Sequence, residues 1–307
     1  MVSDGHGGVW VAGEDSGIYH GTLEVQPLTP ALNAGGAVGP GVTPNASIRI
    51  TWQHFDHGNA PGLPRDSITS LCVDAQGRLW AGTNRSGVAV FNGEGWKSYD
   101  MVTGPLGCHV YGVAYDRLSN QVWIATENGL SIYQCGGAPH RPGQGLAEES
   151  GPLVPRYAAH TWHYLTTADG LPPNPDAIAF GSDGTLFVGT LCGGLAVGRR
   201  TAAPEPLAHP MQPAPPLSVA YHWRVITGPW RMPTSAYGPG LPSSLINAVT
   251  VSPDGRVYVA TDLGLAVSAD GGQTFHFERG RDYAAKVTSR SRSGLSVVCP
   301  FRWAVPH

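Results

Sequence analysis

Charge is scarce in this chain of 307 residues: 13% are Asp, Glu, Lys or Arg, and the formal net charge at pH 7 is -3. There is no run of Lys or Arg, so the sequence offers no electrostatic footprint for nucleic acid or an anionic membrane. No stretch approaches the roughly 20 apolar residues of a membrane helix. The N-terminus lacks a charged segment followed by an apolar signal core, so the chain reads as soluble and without a signal peptide. The five cysteines, Cys72, Cys108, Cys135, Cys192 and Cys299, are an odd number with no CxxC spacing. That argues against a disulfide framework and against a thiolate zinc site. Most are expected to be reduced, with Cys72, on an inner strand, acting as a small core hydrophobe. The absence of G-x-S-x-G removes the usual serine-hydrolase elbow, and no Gly-rich loop joins a strand to a helix as a nucleotide cofactor would need.

Glycine and proline, by contrast, are plentiful: 42 Gly and 27 Pro accompany a hydrophobic fraction of 41%. That is the turn density of an all-β protein with material for a core. The turns are periodic. Asp74-AQGRLWAGTNRSGVAVF shares its layout with Asp4-GHGGVWVAGEDSGIYHG, Asp116-RLSNQVWIATENGLSIY, Gly181-SDGTLFVGTLCGGLAVG and Ser252-PDGRVYVATDLGLAVS. Each copy reads as a turn, a short strand with a central aromatic, a Gly-containing turn and a second strand. The aromatics Trp10, Trp80, Trp123, Phe187 and Tyr258 mark the phase. The shortest interval, 43 residues from Trp80 to Trp123, matches the roughly 40–45 residues of a four-stranded propeller blade. An outer aromatic strand follows in each copy, at Trp52, Trp96, Trp162, Trp223 and Phe275. Most copies then carry a Gly/Leu/Pro turn, as at Gly62, Gly104, Gly170 and Gly240, and an apolar inner strand opens the next copy. The sequence therefore predicts an all-β propeller of about five four-stranded antiparallel blades over 1–287, with strands a to d from the inside outward.

The run Asp-x-x-Gly-x-Leu-Trp, Gly-Thr or Ala-Thr, Gly-Leu, a Trp strand and Gly-Leu-Pro resembles the two-component-regulator propeller repeat. The resemblance covers nearly the whole chain apart from the insertions and the tail, and its motifs are turn and core residues. It implies a sensor-type propeller that binds a glycan or small molecule, in a family that is largely periplasmic or extracellular. Insertions at 27–47, 135–159 and 199–219 fall between strands c and d, on one rim, and read as irregular surface loops. The 226–244 segment lies instead in a d–a connection and offers a cap for the opposite face, with Trp230, Arg231 and Tyr237 either available to a sugar or anionic ligand or plugging a neighbouring blade. The first copy has only Met1-Val2 ahead of its Ser3-Asp4 turn, so one blade is expected to lack a strand. Either Leu295–Val298, in the 288–307 tail, closes the ring, or the open edges pair with a second copy in a homodimer.

Polar residues that occur in single copies have no repeat-level explanation. On the b–c and d–a face these are Glu14, Asp15, Arg85, Glu127, Cys192 and Asp262 from b–c turns, with His57, Cys108, His109, Tyr111, Asp176 and Asn247 from d–a loops and inner-strand starts. The set is acidic and histidine-bearing. His57, His109, Asp176, Glu14 and Asp262 are the expected ligands of a divalent metal, zinc or calcium, assembled across blades and leaving no local signature such as HExxH. Glu127 is the expected base, and Tyr111 and Arg85 join the aromatic loop in binding substrate. The resulting expectation is a metal-assisted hydrolase of a small ester, lactone or phosphoester. The alternatives are a non-catalytic binding module and a structural scaffold.

Overall fold

The computed structural model describes residues 1–13, 16–27, 46–64, 67–135, 162–200, 221–229 and 235–279. They form five antiparallel sheets of consecutive strands. Blade 1 is β1 (Val2–Ser3), β2 (Gly8–Ala12), β3 (Ile18–Pro27) and β4 (Ala46–Phe55); blade 2 is β5 (Ile68–Val73), β6 (Leu79–Thr83), β7 (Val88–Phe91) and β8 (Trp96–Tyr99). Blade 3 is β9 (Val110–Asp116), β10 (Gln121–Thr126), β11 (Gly129–Gln134) and β12 (Trp162–Leu165). Blade 4 is β13 (Pro175–Phe180), β14 (Leu186–Thr190), β15 (Leu195–Arg200) and β16 (Tyr221–Ile226). β17 (Tyr237–Pro239) precedes the four strands of blade 5: β18 (Ile246–Val251), β19 (Val257–Thr261), β20 (Gly264–Ser268) and β21 (His276–Glu278). A single 3-10 turn at Thr167–Asp169 is the helical content of the described residues.

The register follows from a device repeated at the b–c turn. In blades 2 to 5 the second strand ends in a threonine whose hydroxyl donates to a glycine carbonyl across the turn: Thr83 to Gly87, Thr126 to Gly129, Thr190 to Gly194 and Thr261 to Gly264. Those glycines have positive φ, and a Cβ on Gly87 or Gly194 would stand 2.2 Å from the carbonyl oxygen that ends the outer strand, on Tyr99 or Ile226. No other residue allows both the left-handed backbone and that approach. At the opposite end, the motif Asp74 is buried. It accepts from the amides of Gln76 and Arg78, from Arg78 Nε at 2.7 Å and from the indole of Trp80 at 2.8 Å. It is turn and core chemistry rather than a site.

The core lies between blades. Trp10 packs on Leu79 and Ala81 of blade 2, Trp80 on Val110, Val122 and Ile124 of blade 3, Trp123 on Leu186 and Val188 of blade 4, and Phe187 on Val257 and Val259 of blade 5. Four of the five phase-marking aromatics are buried, as their spacing predicted. Tyr258 is only partly buried, because no described blade follows it. Cys72 is a core residue, and its thiol is pushed well above the usual range, first by burial and then by Asp74 and Cys135.

Three expectations are corrected. Blade 1 does not lack its inner strand: Val2 and Ser3 pair with Trp10 and Val9, giving a shortened β1. Two residues suffice because β2, not β1, carries the buried tryptophan. The d–a connection into blade 5 does not cap the face over the part that is described. Its residues Tyr237–Pro239 pair with β21 as a fifth, outermost strand, covering the edge that a three-residue β21 would leave open. Cys192 is disulfide-bonded, whereas Cys72, Cys108 and Cys135 are free thiols. The insertions fall, apart from their flanks, outside the described residues, between the third and fourth strands of blades 1, 3 and 4. The tail 288–307 and its closing strand lie outside them entirely, as do Glu14, Asp15, Trp230 and Arg231.

Candidate functional site

The b–c turn of blade 3 is as short as a turn can be, with Glu127 and Asn128 between Thr126 and Gly129. Its side chains therefore reach sideways onto the d–a loop that enters the same blade. Asn128 donates to the Leu106 carbonyl at 3.0 Å. The Glu127 carboxylate accepts two successive backbone amides, Cys108 N–H on Oε1 and His109 N–H on Oε2, each at 3.1 Å. A Cβ on Gly107 would lie 2.2 Å from Oε2, so glycine there makes room for the carboxylate. The loop is also tied to blade 2, through Gly87 N–H to the Cys108 carbonyl at 2.9 Å.

This stapling gathers three chemically distinct groups. Cys108 Sγ, His109 Nδ1 and Glu127 Oε1 are mutually 3.6 Å apart, forming an equilateral triangle of one thiol, one imidazole and one carboxylate, all partly buried. Three corners of a tetrahedron with 3.6 Å edges surround a centre about 2.2 Å away. That equals the Zn–N, Zn–O and Zn–S distances of roughly 2.0–2.3 Å. The fourth corner is left to water or a ligand.

The surroundings carry charge and aromatic surface. Arg85, in the b–c turn of blade 2, donates from Nε to His109 Nε2 at 3.2 Å. A neutral His109 then keeps its proton on Nδ1, facing the thiol and the carboxylate. A metal on Nδ1 requires the other tautomer, whose Nε2 proton would face Arg85, so metal loading and the Arg85 bond exclude each other. The Tyr111 ring lies nearly parallel to His109, with centroids 6.4 Å apart. The Tyr111 phenol is raised above its ordinary value, chiefly by burial and further by Glu127, Asp176 and Cys108. Asp176, at the start of β13, is half-buried, and desolvation raises its carboxyl as well.

The structure thus brings Glu127, His109, Tyr111 and Arg85 together with Cys108, and sets Asp176 close enough to act on Tyr111. It does not bring in two other expected ligands. His57 is exposed, with Nδ1 against the Leu63 carbonyl at 2.9 Å, and serves its own loop. Asp262 is exposed in the b–c turn of blade 5, where its influence falls on Arg279. Tyr237 is on the outermost strand of blade 5, paired with Glu278. Glu14, Trp230 and Arg231 lie outside the described residues. Cys108 was not among the expected ligands, although it stood beside His109 in the set on this face. What hid it was the short b–c turn, which lets a neighbouring carboxylate fold both residues into one site without any spacing motif.

Residues 62–85, from the Gly-Leu-Pro turn through β5 and β6 to Arg85, match the family model of the two component regulator propeller. The chain carries a two component regulator propeller repeat. Comparison with curated protein sequences gives no match. Among solved structures, 94% of this propeller superposes on the extracellular domain assigned to a hybrid two component system of B. thetaiotaomicron, with a TM-score of 0.50 and 14% identity. The propeller spans 28% of that chain. A component of the type-IX secretion system of Porphyromonas gingivalis matches over 87% of this chain and 32% of its own, with a TM-score of 0.47 and 11% identity. A gluconolactonase of Xanthomonas campestris matches over 71% of this chain and 63% of its own, with a TM-score of 0.43 and 13% identity. At these identities the first likeness shows the propeller fold, and the other two carry no argument. Among the described residues, no helix is long and apolar enough to cross a membrane.

Proposed function

We propose that Cys108, His109 and Glu127 hold a divalent metal, zinc by preference, and that the propeller uses it to hydrolyse a small ester, lactone or phosphoester. The observation that carries this reading is the equilateral 3.6 Å triangle of thiol, imidazole and carboxylate. A mixed soft and borderline donor set favours zinc over calcium, which takes six to eight oxygens. Three protein ligands with one open position are the arrangement of catalytic zinc sites. When bound there, the ion supplies Lewis acidity and a water acidic enough to attack at neutral pH. The chain's own residues complete the work. Glu127 is engaged by two amides and by the triangle, so the role of base passes to Asp176, the half-buried carboxylate of the next blade whose proton affinity desolvation raises.

The test is zinc content and zinc affinity of the purified protein, followed by an ester, lactone and phosphotriester panel before and after EDTA. The wild type is expected to bind one zinc, with Cys108→Ala and His109→Ala each losing it and Asp262→Asn retaining it. Stoichiometric zinc in the Cys108→Ala, His109→Ala double variant would remove the site. A second reading, a non-catalytic binding module, is favoured by the two amide bonds to Glu127, which give that carboxylate a structural role without any metal. The repeat match to the two component regulator propeller supports it too. Zinc binding with no turnover of any panel member would select this reading.

A further inference from the structure

Among the described non-glycine residues with positive φ, two are asparagines, Asn120 and Asn174, and the third is Arg85 at φ 78. Asparagine tolerates the left-handed region, whereas an arginine there is strained, and such strain persists where the surroundings or the function demand it. The turn holds a long cation over the d–a loop of the next blade. Of its five N–H donors, only Nε is engaged among the described residues, on His109 Nε2 at 3.2 Å. Among the described residues, Arg85 forms no ion pair, and the carboxylate nearest its partner, Glu127, is occupied by the Cys108 and His109 amides. The remaining four donors form a planar fork beside the metal triangle, with Tyr111 next along the inner strand. A guanidinium fork pairs with two oxygens of one carboxylate or phosphate.

The geometry points to Arg85 as the residue that recognises an oxyanion group on whatever enters this mouth, so that the substrate or ligand class is a carboxylate- or phosphate-bearing small molecule. This deepens the metal-site reading and rests on it for the reaction, though not for the binding. A metal held on His109 Nδ1 would leave the Nε2 proton facing Arg85 and free its Nε donor, so anion affinity would be higher in zinc-loaded protein.

Inorganic phosphate and, separately, acetate would be titrated into zinc-free and zinc-loaded protein and followed by amide chemical shifts. Arg85→Gly is the decisive variant, because glycine accepts φ 78 and its melting temperature is expected to be no lower than that of the wild type. Its affinity for the preferred anion is expected to fall by about ten-fold or more, the loss of a charge-assisted bidentate contact. Arg256→Gly, on the a–b end of blade 5, should leave binding unchanged. Preference for phosphate over acetate, or the reverse, identifies the group. Equal affinity in wild type and Arg85→Gly, or no anion binding by the wild type, overturns the inference. Arg85-dependent anion binding in a protein that never takes up zinc leaves the inference standing and removes the metal. Anion binding that follows zinc alone, whatever stands at position 85, does the opposite.

Discussion

At the scale of single residues, Gly107 offers the sharpest probe of the site, because its missing Cβ is where Glu127 Oε2 sits, 2.2 Å away. The atom displaced by a methyl group is the far end of a flexible side chain, not backbone. Gly107→Ala should therefore fold, with a stability loss of about 1 kcal/mol from the disturbed amide pair, yet bind zinc at least about ten-fold more weakly because the triangle loses its carboxylate corner. Thermal melting and zinc titration check the two halves separately, and undiminished zinc affinity would take Glu127 out of the ligand set. The sequence made part of this site legible. Glu127, His109, Arg85 and Tyr111 stand out as polar residues in single copies of a repeat. What stayed hidden was which carboxylate meets which loop, since that depends on a two-residue turn bending onto its own blade's entry. His57 and Asp262 have the same residue chemistry as His109 and Glu127, but one is taken up by the Leu63 carbonyl and the other stands two blades away, in blade 5.

At the scale of the strand and blade, the pattern was legible because repeat residues serve the blade. An aromatic recurring in the second strand is buried by the following blade wherever one follows. The contrast between Trp80, fully buried against β9 and β10, and Tyr258, part-buried with no described successor, yields a paired prediction. Trp80→Ala removes a large side chain and the Asp74–indole bond, and should cost about 3–5 kcal/mol. Tyr258→Ala should cost about 1–2 kcal/mol, since less surface leaves water at that position. Denaturant midpoints at unchanged slope measure both, and equal losses would mean that Tyr258 is covered by another blade in solution. Edge pairing was less legible. Nothing in Tyr237-Gly-Pro signals that it adds to β21, because the signal is the open edge of another strand more than thirty residues away.

At the scale of the whole molecule, contacts between blades run in chain order, from β1 and β2 to β5, β5 to β9, β9 to β13 and β13 to β18, and no contact of comparable extent joins blade 5 to blade 1 among the described residues. Two apolar faces are the result. Blade 1 turns outward Leu23, Ile50 and Trp52, which are 46%, 46% and 50% exposed, and a cleft of about 380 Å³ lined by Val11, Tyr19 and Trp52. Blade 5 turns outward Leu265, 41% exposed, and the ring of Tyr258. Each is one half of an interface that this chain builds four times, and exposed apolar faces of this kind mark association surfaces. We expect a second copy to cover them, blade face on blade face, giving a concentration-dependent oligomer. Trp52→Asp places a charge in the centre of the blade 1 face and touches no described interface between blades. Light scattering should show the wild type heavier than one chain at tens of micromolar and the variant at the mass of one chain, with an unchanged melting temperature at low concentration. A wild type of single-chain mass whose melting temperature falls on Trp52→Asp would show instead that the two faces meet within one chain and close the ring.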